Sequence, residues 1–144
     1  MAYAELSMRF AASADRVWSA LTGAELIPVL LATYAANIEI DGGAPGAGAI
    51  LVTTLSKGGT VREKIESIDN DERCMKYRVL DAGPLPYANY RGEARVQPAG
   101  PNGAVVSFQC NFVPVDLSEA DARKYWTDHN TKVLNALRAV LEPR

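Results

Sequence analysis

Thr60-Val61-Arg62-Glu63-Lys64-Ile65-Glu66-Ser67-Ile68-Asp69, then Asn70-Asp71-Glu72, then Arg73-Cys74-Met75-Lys76-Tyr77-Arg78-Val79-Leu80-Asp81 is the stretch on which the fold turns. Both arms alternate with a period of two, the mark of half-buried strands, and the polar separator reads as a turn. In the first arm Arg62, Lys64 and Glu66 share one face, and Val61, Ile65 and Ser67 share the other. Glu63 falls with the apolar set. In the second arm Lys76 and Arg78 point outward while Met75, Tyr77 and Val79 point inward. A carboxylate is thus expected on the inner face, where an unpaired charge is costly.

The same reading extends in both directions. Further strand-like runs lie near 37–41, 49–56, 87–97 and 104–113. Gly42-Gly43-Ala44-Pro45-Gly46, Lys57-Gly58-Gly59, Gly83-Pro84-Leu85-Pro86 and the stretch 98–103 separate them as turns. Along 90–97, Arg91, Glu93, Arg95 and Gln97 face out, leaving Tyr90, Gly92, Ala94 and Val96 inside. For 104–113, Ser107, Gln109 and Asn111 alternate with Phe108, Cys110 and Phe112. Periodicity favours the apolar set as inner, a bulge would reverse part of it, and the face stays open.

The first ten residues form another half-buried strand, with Leu6, Met8 and Phe10 on one side. Ser13 offers an N-cap, Val17, Trp18, Ala20 and Leu21 recur at helical spacing, and Gly23 closes the helix. A second short helix is expected over 24–31, with Pro28 near its start. After Pro114, Asp116 or Ser118 caps a long last helix reaching about residue 141, with Glu119 and Asp121 in its first turn. Its apolar stripe is Trp126, Val133, Leu137, Val140 and Leu141. His129, the single histidine, and Asn130 flank that stripe on opposite sides, with Tyr125 one step further round. The expected class is α+β: a curved seven-stranded antiparallel sheet around a long C-terminal helix, with two short helices after strand 1. Residues 1–144 are expected to form one domain.

Composition narrows the function. Apolar residues are 48% and charged residues 22%, so the chain carries enough apolar surface for a core, which argues against disorder. Fifteen Lys plus Arg against 17 Asp plus Glu give a net charge of -2, which offers phosphates no net basic surface and points away from nucleic acid. The longest apolar run, Leu26 to Ala36, is broken by Pro28, Thr33 and Tyr34 and falls short of the roughly 20 residues of a membrane span. No signal-peptide pattern opens the chain, and a cytoplasmic location is expected. Cys74 and Cys110 are expected as two buried, reduced thiols. One histidine and two distant cysteines make no metal ligand set. The glycine-rich stretch before residue 49 is followed by a strand, not by the helix a phosphate loop needs. Tyr3, Tyr34 and the two tryptophans read as core or rim.

Gly92 and Ala94 within a strand, and Gly46 and Gly48 near the second hairpin, leave room, so a cavity is expected between sheet and helix. A mostly apolar cavity with a few convergent polar groups is the usual form of a small-molecule site. Glu63 inside it would have a raised pKa suited to general acid or base work, and tyrosine hydroxyls could donate to an oxyanion.

These features, in order, resemble the SRPBCC (START-like) superfamily with its helix-grip fold, and most closely its bacterial polyketide cyclase/dehydratase branch. The resemblance spans essentially the whole chain. It is carried by Ser13-Ala14-Asp15-Arg16-Val17-Trp18, Gly46-Ala47-Gly48-Ala49, Val61-Arg62-Glu63-Lys64-Ile65, Asp69 with Tyr77, Gly83-Pro84-Leu85-Pro86 through Asn89-Tyr90, and Phe112-Val113-Pro114. It implies that Glu63 and Tyr90 line a ligand cavity, together with Tyr77, Val79, Tyr87, Ser107, Tyr125, His129 and Val133. The chain departs from the acid/base members in having no arginine or lysine between Ala49 and Leu55. Leu55-Ser56-Lys57-Gly58-Gly59 is a short turn where hormone receptors of the superfamily carry a gate.

The resulting expectation is a cofactor-free cyclase, dehydratase or isomerase acting on a small hydrophobic molecule, as a monomer or homodimer. Glu63, Tyr90 and His129 are its catalytic candidates, and no metal is expected. The alternative is a non-catalytic carrier for a lipid, quinone or other apolar metabolite, in which Glu63 and Tyr90 only hydrogen-bond the ligand. A partner-binding module ranks last, because no strand exposes a second apolar face.

Overall fold

Period-two alternation becomes strand at each expected place. In the computed structural model, which describes residues 1–41 and 46–142, the order is β1 (Ala2–Phe10), α1 (Ala14–Thr22), α2 (Leu26–Thr33), β2 (Ala35–Asp41), β3 (Ile50–Leu55), β4 (Thr60–Asp69), β5 (Cys74–Asp81), β6 (Tyr87–Pro98), β7 (Ala104–Pro114) and α3 (Glu119–Leu141). The expected turn at Gly42-Gly43-Ala44-Pro45 lies outside the described residues. The strands form one antiparallel sheet in the order β1-β7-β6-β5-β4-β3-β2, curved around α3. Consecutive hairpins build six of the strands, and the first strand returns to pair with the last.

Caps fix the helices. The Ser13 side chain accepts from the Arg16 backbone N–H at the start of α1, and Ser118, rather than Asp116, accepts from that of Asp121 at the start of α3. α2 begins two residues later than expected, at Leu26. Against the concave face pack Val17 and Leu21 of α1 and Trp126, Leu134 and Leu137 of α3, with Phe10, Val96, Val106 and Phe112 beneath them.

Two expectations are corrected here, and the open face of β7 is settled. Ser67 is exposed, because a bulge between Ile65 and Ser67 resets the alternation and turns Ile68 inward. On β7 the apolar set faces in: the β1–β7 register runs without a shift from Ala2↔Phe112 to Phe10↔Ala104, so nothing reverses the alternation. Val140 is 53% exposed at an open groove bordered by Pro28, Val29, Ala32 and Ala136, and Leu134, fully buried, takes its share of the α3 stripe.

The space expected at Gly92 is not empty. A Cβ built there would meet the Tyr77 ring at 2.5 Å and its hydroxyl at 2.7 Å, so the missing side chain is what seats Tyr77 flat on β6. Gly92→Ala is expected to destabilise the protein by about 1–3 kcal/mol through overpacking. Chemical denaturation checks it; an unchanged midpoint would mean that the ring swings into the cavity at no cost.

Candidate functional site

The sheet does not close fully on α3. Between them, and under α2, lies a cavity of about 670 Å³, inside the roughly 300–1,000 Å³ range of small-molecule sites. Its wall is mostly apolar: Leu30 from α2, Leu51 from β3, Ile65 from β4, Val79 from β5, Phe108 from β7 and Val133 from α3. A few polar side chains interrupt that wall, and their placement defines the chemistry.

Glu63 is the first of them. Alternation along β4 turns it inward, where its cross-strand neighbours are Leu51 on β3 and Val79 on β5. It makes no hydrogen bond and no ion pair among the described residues. With neither a cation nor a donor to hold its charge, burial pushes its carboxyl up to about 7.

Beside it stands a ladder of aromatic rings. Tyr77 stacks on Tyr90 with centroids 6.3 Å apart, Tyr90 on Phe112 at 6.1 Å, and Tyr87 packs against Tyr90 at 5.1 Å. The Trp126 indole N–H of α3 donates to the Tyr90 hydroxyl oxygen at 2.7 Å. That oxygen is anchored by the indole, with the Tyr77 hydroxyl and the Cys110 thiol also in its reach. Burial raises the pKa of Tyr77 and Tyr90, and the Glu63 charge adds to both. At neutral pH these phenols are donors.

His129 sits across the cavity on α3, its ring edge-to-face with Tyr34 at 4.4 Å. Burial first, then the Lys132 charge, lowers its pKa, so the imidazole is neutral at pH 7. Tyr34, at the C-cap of α2, is itself pushed up by burial and next by Glu63. Tyr34 therefore lies within electrostatic reach of Glu63 and in ring contact with His129.

The structure brings Glu63, Tyr77, Val79, Tyr87, Tyr90, Tyr125, His129 and Val133 to one cavity, with Tyr125 half-exposed at its rim. Ser107 is the exception. It lies on the outer face of β7, where its hydroxyl pairs with that of Ser7 at 3.0 Å, so its expected place in the lining is withdrawn. Tyr34 and Thr53 were missed. Thr53 is 1% exposed and stands in the β3 wall between Leu51 and Leu55, its hydroxyl without a partner among the described residues. Lys57 and Lys132, both exposed, border the rim. No group of three or more His, Cys, Asp or Glu able to hold a metal occurs among the described residues. Nor is any of their helices long and apolar enough to cross a membrane.

A curved antiparallel sheet gripping a C-terminal helix across an internal cavity defines the helix-grip class. The chain belongs, over residues 1–142, to the family described as polyketide cyclase / dehydrase and lipid transport. Among solved structures it is similar to the protein XoxI from Bacillus cereus, with a TM-score of 0.81 and 23% identity over 99% of this chain and 97% of that one. It is similar to truncated norcoclaurine synthase from Thalictrum flavum, with a TM-score of 0.78 and 22% identity over 99% and 94%. It is also similar to the Zhui aromatase/cyclase from a Streptomyces species, with a TM-score of 0.76 and 20% identity over 99% and 94%. At these identities the likeness establishes the fold. No curated protein matches the chain.

Proposed function

We propose that the protein binds a small hydrophobic organic molecule in this cavity and converts it by proton transfer without a cofactor, as a polyketide-type cyclase, dehydratase or isomerase. The observation that carries the reading is Glu63: a carboxyl in an apolar wall, with no partner among the described residues and a pKa near 7. Such a group is poised to take and return a proton at neutral pH, whereas a purely apolar carrier gains little from it. In the proposed step Glu63 accepts a proton from a carbon beside a carbonyl. The electron pair moves onto the carbonyl oxygen, where the Tyr77 or Tyr90 hydroxyl donates to the developing oxyanion. His129, neutral and in contact with Tyr34, is the second proton carrier from the helix side. The chain's family, described as polyketide cyclase / dehydrase and lipid transport, includes this class of chemistry beside the carriage of lipids.

The test compares native mass spectra of wild type and Glu63→Gln, purified side by side. Wild type empty or holding product, with the variant trapping a precursor that wild type converts, is the expected result. The same ligand retained unchanged by both proteins would establish the carrier reading instead.

A further inference from the structure

Thr53 presents an anomaly that the proton-transfer step does not use. It occupies a strand position flanked by Leu51 and Leu55, where valine has the same shape and no polar atom. Its hydroxyl is buried and unpartnered among the described residues. Buried polar groups in folded proteins are nearly always satisfied, so an orphan in the wall of a cavity points to a partner supplied from within that cavity.

The neighbourhood says what kind of partner. Thr53 pairs with Val61 across the β3–β4 ladder, and Glu63 is two residues further along the same face of β4. Such diagonal neighbours stand about 7–8 Å apart at their Cα atoms, a spacing at which one oxygen atom can hydrogen-bond to both side chains. Among the described residues, no lysine or arginine of the cavity lining stands beside Glu63 to receive an anion. The cations of the cavity, Lys57 and Lys132, are exposed at its rim. A ligand carboxylate placed at this depth would face the Glu63 carboxyl with no countercharge, whereas a hydroxyl or keto oxygen would meet two groups that can each donate or accept.

We propose that the Thr53–Glu63 end of the cavity is a subsite for an uncharged ligand oxygen, a hydroxyl or ketone on an apolar scaffold, and that Thr53 is a specificity-determining residue. The proposal rests on the ligand-binding reading above and adds to it the chemical class of the ligand's inner end.

Three fluorescent probes of one scaffold test it at pH 7: pyrene, 1-hydroxypyrene and 1-pyrenecarboxylate, titrated into wild type, Thr53→Val and Thr53→Ser. Wild type is expected to prefer 1-hydroxypyrene to the other two. Thr53→Val should weaken 1-hydroxypyrene about tenfold, in line with loss of one hydrogen bond that leaves its partner unpaired. The same variant should leave pyrene and 1-pyrenecarboxylate unchanged, and Thr53→Ser should restore most of the loss. Thermal unfolding of ligand-free Thr53→Val at or above the wild-type midpoint shows that the variant folds. Equal binding of 1-hydroxypyrene by wild type and Thr53→Val, or equal weakening of the carboxylate, overturns the subsite alone. Failure of all three probes to bind wild type overturns the ligand-binding reading and the subsite with it.

Discussion

Exchanging Glu63 for glutamine is expected to make the protein slower on its substrate and more stable above pH 7. The two effects share one cause. In the unfolded chain the carboxyl titrates near 4.5, whereas in the fold burial holds it near 7. Between those values the native state binds more protons than the unfolded state, so the contribution of Glu63 to stability falls as pH rises through that window. Below 4.5 the group is neutral in both states and costs nothing. Above 7 it is charged in both, and the full desolvation penalty is present, on the order of 3 kcal/mol at 1.36 kcal/mol per pKa unit. Glutamine fills nearly the same volume and never ionises. Denaturation of both proteins from pH 4 to pH 8 should therefore show curves that coincide at the acid end and separate in the variant's favour toward the alkaline end. On a convertible substrate, loss of the base should lower kcat by about 10²–10⁴-fold. A pH-independent difference in stability would mean that Glu63 is well solvated, and its role as the base would go with it.

Glu63 could be found from sequence because β4 carries charges on alternate positions, so the one carboxylate out of step is conspicuous. The same logic placed Tyr77, Val79 and Tyr90, whose strands alternate with Lys76, Arg78, Arg91 and Glu93. It had no purchase on β3. Ile50 to Leu55 contains no charge to sort its faces, and threonine and valine are alike in shape, so Thr53 gives no signal until its hydroxyl is seen without a partner. Tyr34 was hidden differently: it falls in the junction between α2 and β2, where neither helical nor strand periodicity applies. Ser107 shows the opposite failure. The resemblance placed it in the lining, while the alternation of Phe108, Cys110 and Phe112 favoured the outer face, and the unbroken β1–β7 register decided for the alternation. Val140 failed because helical periodicity identifies a face of α3 but not how far along the helix anything covers it.

Trp126 joins the stability of the fold to the geometry of the site, and its replacement should show both. The side chain is 1% exposed and packs in the core, while its ring also forms part of the cavity wall. Trp126→Ala removes that packing and leaves a void, an expected loss of about 3–5 kcal/mol. Trp126→Phe is the sharper experiment. It keeps an aromatic ring but deletes the N–H that donates to the Tyr90 hydroxyl at 2.7 Å. That hydroxyl then stands in a buried pocket without its donor, at an expected cost of about 1–3 kcal/mol. In a Tyr90→Phe background the orphaned oxygen is gone, and Trp126→Phe should cost less, with a coupling of about 0.5–3 kcal/mol between the two positions. Additive losses would show that the hydrogen bond contributes nothing net. Tyr90 would then be held by its ring contacts with Tyr77, Tyr87 and Phe112 alone. Coupling, by contrast, identifies α3 as the element that aims the Tyr90 hydroxyl at the cavity. The long helix would then set the position of a proton donor as well as fill the core.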